Sequence, residues 1–181
     1  AGLMALQGFS MGLNLFAVGP ITPLMIDHFG VNNSSAGLLT SIVFLVHIVF
    51  AIPLSLLVGR VGLKLIISLG ALIVSTTVLS FAATNSFTLL LVLRGISGMG
   101  FLLLFPAIGP LFMQWFRPKE LPLVNGIFML SVSLGLATSS FLVAPVSEAI
   151  GWEMALSVLG SVSMLSTVAW FFFGKTRPVL S

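Results

Sequence analysis

Arg94 is the side chain of this sequence whose type and position point most clearly to chemistry. It stands inside a long apolar run, 87–113, and no Asp or Glu lies in that run. An ionised group within a bilayer costs roughly 2.5–3.5 kcal/mol on insertion scales, so it normally faces a cavity or a partner. A guanidinium can donate two parallel hydrogen bonds to a carboxylate or another oxyanion. Arg94 is therefore a candidate binding residue for an anion. The alternative is that it only bonds helix carbonyls and polar neighbours.

Three further polar side chains in apolar runs are candidates for the same site. Gln7, Ser10 and Asn14 follow helical spacing, so they share one face of a helix, and a lipid-facing surface is not built this way. His47 lies in the middle of another apolar run, and a histidine can relay protons because it changes charge near neutral pH. We predict that Gln7, Asn14 and His47 bind substrate near Arg94. Plain hydrogen bonding between helices is the alternative for each.

No catalytic or metal-binding cluster can be drawn from the sequence. A membrane-embedded enzyme needs a nucleophile–base pair or metal ligands at matching depth, and the apolar runs offer one histidine and no acid. The chain has no cysteine, which excludes a thiolate metal site and a thiol redox motif. We therefore expect neither an enzyme nor a metal or other cofactor.

The composition places these side chains in a membrane. Hydrophobic residues make up 58% of the 181 residues and charged residues only 6%, with a mean hydropathy of +1.23. Soluble domains carry about 25% charged residues, so most of this surface must face lipid. The few bases are scattered between apolar runs and form no basic patch, which argues against binding of nucleic acid.

The lengths of the apolar runs predict six membrane spans. A spanning helix needs roughly 20 mostly apolar residues, and six such runs are separated by short polar breaks. No soluble domain or flexible linker is visible, so residues 1–181 are predicted to form a single all-α transmembrane bundle. The predicted spans are 2–24, 36–58, 63–83, 87–113, 123–146 and 152–173.

The distribution of charge predicts the orientation of these spans. Six of the seven Lys and Arg residues fall in alternate breaks and the tail, which share one side of the membrane. The opposite breaks contain acids and a histidine but no Lys or Arg. By the positive-inside rule the basic side is cytoplasmic. The six bases are Arg60, Lys64, Arg117, Lys119, Lys175 and Arg177.

The break between the second and third predicted spans resembles a motif of a known family. SLLVGRVGLK, Ser55 to Lys64, is similar to the G-x-x-x-D-R-x-G-x-K/R-K/R motif of the major facilitator superfamily of secondary transporters. Arg60, Gly62 and Lys64 match this motif, whereas Gly59 stands where the family has aspartate. The resemblance implies that these four residues form a cytoplasmic gating element. The latch that the aspartate is thought to provide would be weaker or would depend on Arg60.

Further stretches extend the resemblance along the whole chain. RGISGMG, Arg94 to Gly100, is similar to the R-x-x-x-G-x-G signature of the fourth helix. WFRPKELPLVNGI, Trp115 to Ile127, resembles a loop beside the fifth helix. The fifth predicted span contains SVSLGLATSSFLVAP, Ser131 to Pro145, which lacks the Gly-Pro pair found in many drug/proton antiporters of the family. That departure disfavours an antiporter of this kind.

The resemblance also implies an architecture and a mechanism. Family members have twelve spans in two six-helix halves, and this chain resembles the amino-terminal half, built from two inverted three-helix repeats. The implied partners are a small-molecule substrate, the lipid bilayer, a carboxy-terminal six-helix half and, as an open option, a coupling proton. Arg94 adds the expectation that the substrate is an organic or inorganic anion. The implied function is secondary transport by rocker-switch alternating access in a plasma membrane or bacterial inner membrane. The alternatives are export of a neutral or cationic compound, and a receptor or scaffold that does not transport.

Overall fold

The computed structural model describes residues 2–176, except for the side chains of residues 57–60. Within that range the chain is helical and contains no strand. A short 3-10 helix, Gly19–Ile21, separates the first two of seven α-helices. These are α1 (Gly2–Leu15), α2 (Thr22–Phe29), α3 (Asn33–Arg60), α4 (Leu63–Phe81), α5 (Phe87–Trp115), α6 (Leu121–Ile150) and α7 (Trp152–Phe173).

The helices confirm the predicted all-α fold with six spans. Six segments of the described chain are long and apolar enough to cross a bilayer, and the first of them combines α1 and α2. Their bounds differ from the predicted ones by a few residues at some ends. The fifth span, α6, begins at Leu121 because Pro122 occupies the first helical turn, where the missing N–H of proline costs no hydrogen bond.

The first span is interrupted near its middle. α1 ends at Leu15, and regular α-helix resumes only at Thr22. Pro20 and Pro23 have no N–H, so an unbroken helix could not complete its i to i−4 ladder here. The N–H of Gly19 instead donates to the carbonyl oxygen of Phe16 at 3.2 Å. The carbonyls at the end of α1 are therefore left for other donors.

The packing of the helices follows an internal two-fold relation. α1 packs mainly on α6 and α7, α5 packs mainly on α3 and α4, and α4 packs on α7. Exchanging α1 with α5, α3 with α6 and α4 with α7 reproduces these pairs. This is the arrangement that two three-helix repeats produce in transporters.

The apolar core is divided into two clusters along the bundle axis. One cluster includes Met11 and Phe101, and the other includes Val18 and Leu90. Arg94 lies between Leu90 and Phe101 in α5, so the buried cation sits where one cluster gives way to the other. The core thus contains a buried charge between its two apolar clusters.

α1 and α6 approach each other at backbone distance. A Cβ added at Gly12 would collide with the carbonyl oxygen of Val132, and one added at Gly135 would collide with that of Phe9. Glycines of this kind permit close helix packing in membranes, where van der Waals contact drives association. The middle of α1 is therefore fixed against α6.

The close contact between α1 and α6 predicts different effects for two glycine-to-alanine substitutions in α6. We expect Gly135→Ala to destabilise the folded protein by about 1–3 kcal/mol, because the new methyl group overpacks the crossing. Gly126→Ala is the matched control, since nothing lies within 4 Å of a Cβ at that position. It should be neutral or stabilising because alanine favours helix. Thermal unfolding of the two purified variants in the same detergent measures the difference in stability. Equal melting temperatures would contradict the close contact between α1 and α6.

Candidate functional site

Arg94 occupies a buried position in the third turn of α5. Only 2% of its surface is exposed. It comes seven residues after the first residue of α5, which corresponds to about 10 Å of helix rise from that end of the bundle. None of the described spans contains an Asp or Glu that could pair with it at this depth. The guanidinium must therefore find its negative partners elsewhere.

The partners of Arg94 are backbone carbonyls of two other elements. Its Nη1 donates to the carbonyl oxygen of Asn14 at 3.1 Å, and its Nη2 donates to that of Leu15 at 2.6 Å. Its Nε donates to the carbonyl oxygen of Leu39 in α3 at 3.2 Å. One side chain thus joins the end of α1 and the beginning of α3 to α5.

The break in the first span explains why these carbonyls suit a cation. Asn14 and Leu15 are the last two residues of α1, and the final carbonyls of a helix have no intrahelical donors. They also carry the negative end of the helix dipole, equivalent to roughly half an elementary charge. Arg94 therefore caps α1 from a neighbouring helix, as basic side chains do at helix C-termini.

The side chains of Gln7 and Asn14 turn towards α7. The amide nitrogen of Asn14 donates to the Ser10 carbonyl oxygen at 2.7 Å and to the Ser163 hydroxyl. The amide oxygen of Gln7 accepts a hydrogen bond from the Ser166 hydroxyl at 2.8 Å. Gln7 and Asn14 are 2% and 0% exposed, so these bonds hold α1 against α7 inside the bundle.

Asn14 connects the hydrogen bonds between α1 and α7 to Arg94. Its backbone carbonyl accepts from Arg94 while its side chain binds Ser163 of α7. Its Oδ1 is buried and has no hydrogen-bond partner among the described atoms. Asn14 therefore offers one open acceptor beside a buried cation, and its predicted contact with substrate stays a prediction.

His47 lies apart from this cluster. Its Nδ1 is 2.7 Å from the carbonyl oxygen of Val43, one turn earlier in the same helix. The side chain is half-buried, and no described hydrogen bond joins it to Arg94. α3 reaches Arg94 through Leu39, eight residues before His47. Of the other predicted binding residues, Asn14 is hydrogen-bonded to Arg94, whereas Gln7 lies two turns earlier in α1 and binds Ser166.

Part of the predicted gating element falls at the end of α3. Gly59 and Arg60 lie where side chains are outside the described residues. Gly62 precedes α4 with φ −59°, which any residue can adopt, and nothing lies within 4 Å of a Cβ built there. The Nζ of Lys64 is 5.9 Å from the ring centre of Phe171 in α7, within the range of a cation–π contact.

The described basic residues outside the spans lie at one end of the bundle, where they are accompanied by the single acid Glu120, and the described acids Asp27, Glu148 and Glu153 lie at the other end. The Nε1 of Trp115 donates to the Lys175 carbonyl oxygen at 3.0 Å, which places the end of α5 beside the segment after α7. Lys64 lies at the same end through its contact with α7. At the other end, the His28 and Trp152 rings are 5.3 Å apart. Arg177 lies outside the described residues.

Sequence analysis did not identify the residues of α7 that bind Gln7 and Asn14, the polar side chains on one face of α1. Ser163 and Ser166 are buried and bind Asn14 and Gln7. Ser163, Ser166 and Thr167 follow i, i+3, i+4 spacing, the signal that marks one face of a helix. The carbonyl partners of Arg94 carry no such signal, because every residue type has the same backbone.

This chain is similar to known proteins both in structure and in sequence. A solved structure of a bacterial homolog to the human lysosomal transporter Spinster, in an inward-facing and occupied conformation, has the same fold with a TM-score of 0.87. It is 18% identical and covers 97% of this chain and 44% of its own. The "Probable sulfoacetate transporter SauU" of Cupriavidus necator is 29% identical over 98% of this chain and 41% of its own length.

A third protein and a family model complete the comparison. The "Probable nitrate transporter NarT" of Staphylococcus carnosus is 24% identical over 88% of this chain and 41% of its own length. The chain therefore spans less than half the length of these relatives. The model of the Major Facilitator Superfamily matches residues 4–181. With that match over nearly its whole length, the chain belongs to the Major Facilitator Superfamily.

Proposed function

We propose that the whole protein is a secondary transporter of a small organic or inorganic anion, and that this chain forms its amino-terminal six-helix half. The observation that carries the proposal is the buried guanidinium of Arg94, which has only carbonyl oxygens as partners. Neutral dipoles compensate a cation less completely than a full negative charge does. A cavity that opens next to Arg94 would therefore favour anionic solutes.

The names of two relatives agree with an anionic substrate. SauU is named for sulfoacetate and NarT for nitrate. Both anions present oxygen atoms that can accept the paired hydrogen bonds of a guanidinium. Arg94 is thus the residue that we assign to anion attraction. Asn14 and Gln7 position α1, and a direct substrate contact of either one, or of His47, is a further part of the hypothesis.

The proposed mechanism needs a second half that this chain lacks. α3 and α6 have the smallest buried shares of the six spans, and they are exchanged by the internal two-fold relation. Their apolar outer faces are suited to a further six-helix unit, with the substrate held between the halves in alternating access. The acids of the described spans, Asp27, Glu148 and Glu153, lie within three residues of a span end, so none is placed at mid-membrane to carry a coupling proton. Any proton coupling would use His47, the substrate or the second half.

The basic end of the bundle is the proposed cytoplasmic side. The charge bias follows the positive-inside rule, in a membrane that we take to be a bacterial inner membrane. Among the described residues, Gly62 has no neighbour that would require a glycine. We propose that the second half approaches Gly62 closely when the cytoplasmic gate closes, with Gly59, Arg60 and Lys64 beside it.

Substitution of Arg94 tests the proposed substrate class. In proteoliposomes that contain the whole protein, Arg94→Gln should reduce uptake of the transported anion by about thirtyfold, the factor for roughly 2 kcal/mol of charge-assisted hydrogen bonding. Arg94→Lys should retain part of the uptake because it keeps the charge but loses the planar guanidinium that donates paired hydrogen bonds. The panel contains sulfoacetate, nitrate, a neutral sugar and a cationic dye, each with and without a proton gradient.

Folding must be separated from transport in that assay. Gel filtration and the melting temperature of each Arg94 variant show whether the protein remains folded. If a folded Arg94→Gln variant takes up a neutral or cationic solute at the wild-type rate and no anion is transported by either protein, the anion proposal is wrong. A neutral-compound exporter or a protein that does not transport would then take its place.

Gly62 gives an independent test of the gate. Gly62→Ala should leave the melting temperature unchanged, because the backbone angle is ordinary and the space around Cβ is open. Uptake should fall by about tenfold if the second half must approach this position. Gly37→Ala is the matched control, since Gly37 has equally open space but lies in the first turns of α3, at the other end of that helix. Unchanged uptake in Gly62→Ala would contradict the gating role.

A further inference from the structure

We infer that Arg94 is a clamp on the end of α1 that an anionic substrate releases, so that occupancy of the site controls the position of the segment between α1 and α2. This inference rests on the proposed function, because it requires an anion to reach Arg94. It adds a positioning role to the anion-attracting role. The same guanidinium either holds the end of α1 or holds the substrate.

The competition between the substrate and the end of α1 for Arg94 follows from the burial of this side chain. The side chain is 2% exposed, and three of its five N–H groups donate to the carbonyl oxygens of Asn14, Leu15 and Leu39. An anion cannot contact the guanidinium unless the side chain or the end of α1 moves. Either movement breaks the bonds that Arg94 makes to α1. Substrate binding and capping of α1 therefore compete.

The part of α1 before the break cannot follow such a movement. Gln7 and Asn14 are hydrogen-bonded to α7, and Gly12 is in backbone contact with α6. Apart from the contact of Arg94 with Leu15, no described side-chain hydrogen bond joins residues 15–22 to a neighbouring helix. Ala17, Val18 and Ile21 are held by apolar packing in one of the two core clusters, which is not directional. The prolines at 20 and 23 prevent a continuous helix through this segment. The break after Leu15 is consequently the point at which the span can bend when the clamp opens.

The charge of the ligand decides whether the clamp opens. A neutral solute offers Arg94 nothing better than the three carbonyls it already has. An anion offers a full negative charge, which attracts the guanidinium more strongly than a carbonyl dipole does at the same distance. The carbonyls that are released must then find water or other donors, which leaves the end of α1 more open. Anions should therefore loosen this segment, and neutral solutes should not.

Labelling of a single cysteine at position 17 tests the clamp directly. The described part of the chain has no cysteine, and Ala17 is 0% exposed in the segment after α1. In the whole protein, otherwise free of cysteine, Ala17→Cys should react slowly with a maleimide. A saturating concentration of sulfoacetate or nitrate, whichever is transported, should raise the labelling rate by about tenfold, which corresponds to roughly 1.4 kcal/mol of local stability. A neutral sugar should leave the rate unchanged.

Two second-site variants distinguish a clamp from general loosening. In the Ala17→Cys background, Arg94→Gln should label rapidly without any anion and should not respond when the anion is added. Ser163→Ala removes the α7 partner of Asn14 but leaves the contacts of Arg94 in place, so the response to the anion should persist. Hydrogen exchange of residues 15–22 in protein without the cysteine repeats the measurement where Ala17→Cys disturbs folding.

The outcomes separate this inference from the proposed function. Anion uptake without any change in labelling or hydrogen exchange at residues 15–22 would overturn the clamp and leave the transporter proposal intact. Slow labelling in a folded Arg94→Gln variant would also overturn it. If the protein transports only a neutral or cationic solute, the proposed function fails and the anion-released clamp fails with it. An anion response that matches the concentration dependence of uptake supports both.

Discussion

The capping of α1 by Arg94 is the interaction on which the polar interior of this bundle depends. A guanidinium within a membrane span needs negative charge within reach, and the described hydrogen bonds of Arg94 go to carbonyl oxygens and not to a carboxylate. The break after Leu15 provides it, because the final carbonyls of a helix are both unpaired and negatively polarised. The break and the arginine therefore explain each other: without the break the cation has no partner, and without the cation the carbonyls at the end of α1 lack these donors.

This interaction also sets where the bundle is rigid and where it is free to move. Below the break, α1 is fixed by hydrogen bonds to α7 and by a backbone crossing with α6. Above it, Arg94 supplies the described side-chain hydrogen bonds that hold the end of α1, and Leu39 extends the contact to α3. A helix that is anchored firmly on one side of a proline-containing break bends at the break. The geometry thus converts an event at one side chain into a displacement of a whole segment.

The sequence predicts the large features of this fold better than the partners within the site. Six spans follow from run lengths, and the polar face of Gln7 and Asn14 follows from helical spacing. The break in the first span was not predicted, because hydropathy over 2–24 measures side chains, whereas the interruption at Pro20 arises from a missing backbone donor. For the same reason Arg94 could be identified as buried and unpaired by any acid, but its carbonyl partners could not be named. Ser163 was missed although its spacing marks one face of α7.

The glycines show how a half of a protein can contain evidence about the rest. Gly12 and Gly135 are needed within this chain, since any side chain there would strike the backbone of the opposing helix. Gly62 has an ordinary backbone angle and free space around it, so nothing in the described part of the chain requires a glycine. Yet it stands at the basic end, in a stretch where Arg60, Gly62 and Lys64 match the family motif. A glycine without an internal reason in such a stretch is best explained by a close approach from outside this half. Under the proposed function, the start of α4 is therefore where we expect the second half to approach this chain.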